Sequence, residues 1–382
     1  MNPVLVCSSE PRSDFCEIVN GDIRIHAKSS TVYISSSSPI STQNSSWFIK
    51  PYARKNDETA MSRVREWLMK TEKNTDQIPP CTKAHKAPAI LFSLGGYSGN
   101  NFHDFTDIII PLFLTSRHFN GEVQFLVTNL KSGWIPKFRE VIENLSKYPV
   151  IDIDKEEDQT HCFTTAIVGL KRHGRAELMI DRLKTPYSME DFRAFLRSVY
   201  SLPAITTAGK SRKKPRLLII SRKKTRTFSN PDEISRLARN MGFEVIVSEA
   251  DVGVARFAEL VNSCDVMMGV HGAGLTNMVF LPENAILIQI LPIGGFDWLG
   301  NFDFGGPSKE MKLRYLEYKI KMEESTLIQQ FPVDHQVMEN PSAILKQGWE
   351  AFRSVYLVKQ NVNLDVSRFK RTLLKALELL NQ

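Results

Sequence analysis

The sequence predicts an α/β protein of about two domains, and three observations carry the prediction. The chain has 382 residues, a length at which a single hydrophobic core usually gives way to two. From Pro88 onward, short apolar strands take turns with helical stretches. Between Tyr200 and Arg216 the composition shifts to Pro203, Gly209, Ser211 and clustered Lys and Arg, as in an exposed inter-domain linker. The resulting division is a first domain over 1–205, a second over 206–335 and closing helices over 336–382.

Before residue 90 the pattern is of strands and turns. Asp22-Ile23-Arg24-Ile25-His26 and Thr31-Val32-Tyr33-Ile34 alternate with period two, and a Ser-rich loop follows from Ser35 to Ser46. Ala89 to Ser93 reads as a buried strand, Gly95 to Asn100 as a glycine-rich turn, and Asn101 to Leu114 as a helix. Strand, Gly-rich loop and helix in that order make a Rossmann-like unit. Strands Val123–Val127 and Thr165–Gly169, with a helix Ile135–Leu145 between them, complete the α/β reading of this half.

The second half repeats the alternation. Strands are expected over Arg216–Ser221, Phe243–Val247, Asp265–Val270 and Ala285–Ile290, separated by helices over Pro231–Met241, Val254–Asn262 and Leu275–Phe280. Such an order implies a parallel, doubly wound sheet. From Pro341 to Leu380 the chain reads as mostly helical, and Trp349, Phe352 and Val355 are expected to pack.

Composition narrows the function classes. A net charge of +7, from 49 basic against 42 acidic residues, and a 42% hydrophobic content are ordinary globular values that exclude a coiled coil or a disordered tail. No run approaches the roughly 18 apolar residues of a membrane span. Five cysteines without a CxxC or Cys/His cluster argue against structural zinc. Met1 to Val6 lacks the basic start and apolar core of a signal peptide. Asn44-Ser45-Ser46 and Asn144-Leu145-Ser146 match the N-glycosylation triplet.

Three stretches could carry chemistry. Gly269-Val270-His271-Gly272-Ala273-Gly274 with Asn277 follows an apolar strand and opens a short helix, where backbone amides and the helix dipole favour an anion such as phosphate. The same glycines would also serve plain helix–sheet packing. Ser221 to Arg226 is a basic loop off the carboxyl end of a buried strand, where doubly wound sheets bind ligands. Its Arg222 and Arg226 offer bidentate donors for a pyrophosphate. Nine Lys and Arg lie between Lys210 and Arg226 with no acid among them, which equally describes a solvated linker, while a nucleic-acid patch would want interleaved aromatics. Third, His103 and Asp107 stand four residues apart on one helix face and could share acid/base work, or simply pair on the surface.

These pieces resemble glycosyltransferase family 61, and within it the plant xylan arabinosyl- and xylosyltransferases. The resemblance lies in Ser9 to Asp14 with Cys16-Glu17, in Lys50-Pro51-Tyr52-Ala53-Arg54-Lys55, in Gly95 to Asn100 leading to His103-Asp104-Phe105, and in Gly269 to Pro282. It covers nearly the whole chain and implies a GT-B architecture of two facing Rossmann-like, doubly wound domains, with the last helices packing back on the first. It also implies an inverting transferase moving a pentose, arabinofuranose or xylose, from a UDP-sugar to xylan or a related cell-wall glycan, with no nucleic-acid partner. Family members resemble type II Golgi membrane proteins with an anchor helix and stem, and none of these is read before Asn2. Golgi residence and membrane attachment are thus implications of the family.

On this reading the catalytic base is Asp107 with His103 as partner, or His103 itself. The donor UDP-sugar is met by Arg222, Arg226, His271, Gly272, Ala273, Gly274 and Asn277. With no acidic pair placed against the pyrophosphate, no metal or other cofactor is expected. An oxidising lumen would permit Cys7–Cys16 and Cys81–Cys162 pairs and leave Cys264 a thiol. A glycan is expected on Asn44 before Asn144. The rival reading is a non-catalytic glycan-binding paralogue. A Rossmann oxidoreductase fares worse, since Gly95 to Asn100 holds no GxGxxG.

Overall fold

The computed structural model describes residues 3–35, 46–172, 174, 176–207, 214–250 and 253–382. The chain forms two compact units, one of Met1–Arg175 with Ile180–Ser188, the other of Ala176–Met179 with Met189–Gln382.

The main sheet of the first unit orders its strands Val4–Ser9, Asp14–Val19, Ala166–Val168, Ala89–Ser93, Gln124–Thr128, Ile151–Asp152. Ala89–Ser93 and Gln124–Thr128 are buried at every position and pair in parallel at its centre, which is why they read as unbroken apolar runs. The other edge is antiparallel, and Cys7 faces Cys16 there in register and is bonded to it. A second six-stranded sheet contains the alternating strands Asp22–His26 and Thr31–Ser35. Its inward residues Ile23, Ile25, Val32, Ile34, Trp67 and Met69 form one core with Ile18, Leu91, Leu126, Ala166 and Val168 of the main sheet. The expected doubly wound first domain is therefore corrected. One face of its sheet is covered by another sheet, because period-two strands carry a single apolar face that must be buried against something flat. Cys81–Cys162 is the second disulfide, as expected, and Cys264 is a buried thiol.

The helix expected from Asn101 runs to Ser116, but through a wide π-turn over Asp104–Ile109. Asn100 caps its start, accepting the Phe102 amide at 3.1 Å. Pro111 has no N–H to give the carbonyl four residues back, so the ladder widens just before it and Ile110 bonds to Phe105 instead.

In the second unit five parallel strands are ordered Glu244–Ser248, Arg216–Ile220, Val266–Val270, Ile286–Leu291, Arg314–Lys319. The first four match the sequence reading within a residue or so. The fifth went unread because Arg314, Glu317 and Lys319 mask its apolar face. In order of appearance the strands stand 2-1-3-4-5, so the chain turns in opposite senses after Arg216–Ile220 and Val266–Val270, opening a crevice at their adjacent carboxyl ends. Helix Val366–Leu380 lays Phe369, Leu373 and Ala376 into the core of this same sheet, with Leu217, Met268 and Tyr318. That corrects the expectation that the last helices pack back on the first domain. Their apolar stripe fits the sheet that immediately precedes them in sequence. Helix Met189–Val199 also groups with this unit, through Arg193, which is buried and donates to the carbonyls of Val279, Leu281 and Met311. Of the three residues expected to pack near residue 350, Phe352 and Val355 join a core, and Trp349 stacks on Phe352 at 5.5 Å between centroids while staying half-exposed. Among the described residues no helix is long and apolar enough to cross a membrane.

Candidate functional site

Asp107, on the wide turn, is fully buried and accepts from five side chains. Tyr52 Oη (3.0 Å), Arg54 Nε (2.8 Å) and His103 Nδ1 (3.0 Å) meet its Oδ2, while Thr106 Oγ1 (2.9 Å) and Arg172 Nη1 (3.0 Å) meet its Oδ1. Burial alone would raise the carboxyl pKa, but the Arg54 charge, the His103 hydrogen bond and the Arg172 charge outweigh it and hold Asp107 far below the usual carboxylate range. A permanent carboxylate requires the proton on Nδ1 of His103, which leaves Nε2 with the lone pair. The His103 side chain is 19% exposed and Asp107 not at all. The imidazole is thus the member of the pair that a ligand can touch, and Asp107 orients it from behind. Burial pushes Arg172 down to about 9 against the pull of Asp107.

The glycine-rich turn is tied to the same carboxylate. Gly96, at φ +52°, lies against Tyr52, where a Cβ would come within 2.5 Å of the ring. The Tyr97 amide donates to Tyr52 Oη at 3.2 Å, and the Tyr97 ring stands 4.6 Å from that of His103. Asp104, also buried, accepts from the Gly99 amide (2.7 Å), Trp134 Nε1 (2.8 Å) and Lys137 Nζ (2.8 Å), holding the loop to its helix.

In the second unit, the two loops that the sequence singled out meet at the crevice. Gly272, at φ +148°, has the Arg226 and Arg222 guanidiniums so close that a Cβ there would lie 2.7 and 2.9 Å from their nitrogens. Arg226 Nη1 donates to the His271 carbonyl at 2.6 Å, and Arg222 Nε to the Thr225 carbonyl at 2.8 Å. Neither guanidinium forms an ion pair with a carboxylate among the described residues, and Arg226 Nε is buried without a partner. Burial, with Arg222 beside it, pushes Arg226 down to about 9, and burial lowers Arg222 too. Two cations held together and partly dried are a site short of negative charge. His271 is buried, and burial followed by the charges of Arg226 and Arg222 drives its pKa down to about 3, so it is a neutral imidazole. The Arg226 backbone, at φ +54°, is pinned by the Gln360 carbonyl at 3.0 Å, and the Thr227 amide by Asn361 Oδ1 at 2.9 Å.

The family profile named Glycosyltransferase 61 matches residues 102–288. The chain is 43% identical over 399 residues to the beta-1,2-xylosyltransferase XYXT1 of Oryza sativa subsp. japonica, covering 99% of this chain and 85% of that protein. The chain belongs to glycosyltransferase family 61. It is also 50% identical over 377 residues to the alpha-1,3-arabinosyltransferase XAT3 of the same rice, covering 97% of this chain and 64% of that protein. To the xylan glycosyltransferase MUCI21 of Arabidopsis thaliana it is 36% identical over 390 residues, 96% of this chain and 77% of that protein. The chain thus spans somewhat less than two thirds of the length of the rice arabinosyltransferases it matches.

The family-61 match begins at Phe102, so it takes in His103, Asp107, Arg172 and the His271 loop but not Tyr52 and Arg54. Those two come from the Lys50 to Lys55 stretch that the sequence had flagged only as a likeness. With Arg172 they are the residues that sequence reasoning missed, and an isolated Arg carries no local signal of its target. Gly272, Ala273 and Gly274 turn as expected, though into a 3₁₀-helix over Ala273–Phe280. Asn277 donates from Nδ2 to the Gly274 carbonyl at 2.9 Å and braces that turn. Asn44 lies outside the described residues. Asn144 is exposed at a helix end, and the Ser146 hydroxyl of its triplet is buried on the Val123 carbonyl at 2.6 Å.

Proposed function

We propose that this family-61 chain is an inverting pentosyltransferase that moves arabinofuranose or xylose from a UDP-pentose to a hydroxyl of xylan or a related cell-wall glycan. The observation that carries the reading is the pair Arg222 and Arg226, half-buried around Gly272 at the crevice of a 2-1-3-4-5 sheet, with no ion pair to a carboxylate among the described residues. A pyrophosphate supplies the missing charge and takes bidentate hydrogen bonds from both. The named activities of the rice and Arabidopsis relatives supply the sugar and acceptor classes.

On this reading the second unit holds the donor, and the first carries the group that accepts the proton. His103 Nε2 takes the proton of the acceptor hydroxyl as its oxygen bonds to the anomeric carbon, and Asp107 stabilises the imidazolium that forms. The bond from that carbon to the UDP oxygen breaks on the opposite face, and Arg222, Arg226, the His271 N–H and the amides of Ala273 and Gly274 stabilise the departing diphosphate. Those cations take the place of a divalent metal. The two disulfides support residence in an oxidising compartment such as the Golgi lumen.

The test is to incubate the protein with UDP-xylose or UDP-arabinofuranose, with and without xylan, and follow UDP release and pentose incorporation together. Acceptor-dependent release is expected. Binding of xylan with no release beyond the blank would establish the non-catalytic glycan-binding reading instead.

A further inference from the structure

Beneath the His271 loop a chain of polar side chains runs from the buried His271 and Gln289 to the half-buried Tyr315 and Glu317. His271 Nδ1 lies 2.7 Å from Gln289 Nε2, in the middle of the fully buried strand Ile286–Leu291. The other end of that amide, Gln289 Oε1, accepts from Tyr315 Oη at 2.7 Å, on the neighbouring strand Arg314–Lys319. Tyr315 Oη also lies 3.0 Å from Glu317 Oε2. A glutamine in a central strand between aliphatic neighbours is costly to bury unless both ends of its amide are used, and here both are.

We propose that Tyr315 and Gln289 form a positioning relay that locks His271 as the neutral Nε2–H tautomer, so that it serves as a fixed hydrogen-bond donor to the diphosphate of the donor sugar and never as an acid or base. Asp303 Oδ2 lies 3.8 Å from Nε2 and can only accept, which favours the ring proton on that nitrogen, and the Gln289 amide meets this with Oε1 turned to the Tyr315 hydroxyl at 2.7 Å. The amide nitrogen then faces His271 and must donate, which makes Nδ1 the acceptor and leaves the only ring proton on Nε2. On that side Nε2 has Asp303 Oδ2 at 3.8 Å, and the rings of Phe296 and Phe304 flank the imidazole at 5.3 and 5.6 Å between centroids. The charges facing His271 are Arg222 and Arg226 from the loop above, Asp303 from the segment beside it, and Glu317 only through the relay. The cations oppose a charged imidazole, and the Gln289 amide, which offers Nδ1 only a proton, removes the other route to one. The relay thus presents an N–H to an anion without a proton that could be lost to it.

The part of this inference that concerns the ligand rests on the donor-binding reading above, while the tautomer does not. The first measurement is therefore ligand-free. Nitrogen-15 spectra of the histidine-labelled full chain, which has eight histidines, with His271 assigned by its loss in His271→Asn, should show Nε2–H and no titration between about pH 5 and pH 8. Tyr315→Phe keeps the ring and removes the hydroxyl, so the Gln289 amide can turn over. The His271 signal should shift toward a mixture of tautomers, and UDP-xylose should bind roughly 3- to 10-fold more weakly. Gln289→Glu puts an acceptor against Nδ1 and should reverse the tautomer to Nδ1–H. An Nδ1–H signal in the wild type, titration of His271 above about pH 6, or a Tyr315→Phe protein with unchanged tautomer would overturn the relay. If the tautomer is as stated and UDP-xylose does not bind the wild type, the relay stands and the donor reading falls.

Discussion

The two units treat buried charge in opposite ways. In the first, one carboxylate, Asp107, is surrounded by two guanidiniums, an imidazole and two hydroxyls, and every lone pair that matters is used. In the second, two guanidiniums crowd Gly272 with no carboxylate of the described residues paired to either. A charge-complete cluster is a rigid mount, since any movement of a member costs an unpaired buried group. A charge-deficient cluster is a binding site, because the ligand brings what burial has removed. The difference teaches where to look for chemistry and where for affinity. His103, seated on the complete cluster, is the reactive group, and Arg222 and Arg226 are the grip.

The sharpest way to break this contrast is His103→Gln, which removes the base and keeps the other four donors to Asp107 in place. Loss of a positioned general base lowers turnover by about 10² to 10⁴. The affinity for UDP-xylose should hardly move. Full turnover in His103→Gln, measured as acceptor-dependent UDP release, would return the role of base to another group.

Asp107→Asn should lower turnover too, since it removes the anion behind His103, and should also act on stability. It strands Arg54 and Arg172 beside a neutral amide, and breaking a buried pair in this way costs about 3 to 5 kcal/mol, read as a lowered denaturation midpoint. The sign with pH follows from the direction of its shift. A carboxyl held below its unfolded value of about 4 contributes its full stability above that pH and loses it as the solution is acidified further. The first unit should therefore weaken steeply below about pH 4, and Asp107→Asn should flatten that dependence.

On the other side, Arg226→Ala should reduce UDP-xylose affinity by roughly 10- to 100-fold, the worth of a charge-assisted hydrogen bond, as read by calorimetry. Turnover at saturating donor should fall as well, because the same cation meets the leaving group. Gly272→Ala sharpens the point with a smaller change. Its methyl would force the two guanidiniums apart and weaken donor binding several-fold with both charges still present. The smallest expected effect is that of EDTA, under which transfer should persist. Activity abolished by chelation and restored by Mn²⁺ would show that the cations do not suffice.

Much of this was legible in the sequence, and for a local reason. The strands and helices of the second unit announce themselves by period, and His103 and Asp107 meet because residues four apart share a helix face even across a wide turn. The Cys7–Cys16 pair, expected only if the compartment is oxidising, is present, and the antiparallel register of its two strands that sets it was not read from the sequence. The covering of the first unit's sheet by a second sheet was not legible, since period two tells which face of a strand is apolar and not what it packs on.

The sequence by itself determined the first four strands of the second unit's sheet and the residue kinds at each candidate loop, because these depend on neighbours within one or two turns of chain. Only the tertiary structure decided which residues converge. Tyr52, Arg54 and Arg172 reach Asp107 across 55, 53 and 65 positions, and Gln289 reaches His271 across 18. The loops at 221–226 and 271–274 became one site because the strand order puts Arg216–Ile220 beside Val266–Val270. Strand order and register are set by the packing of whole sheets, a property that no single window of sequence contains.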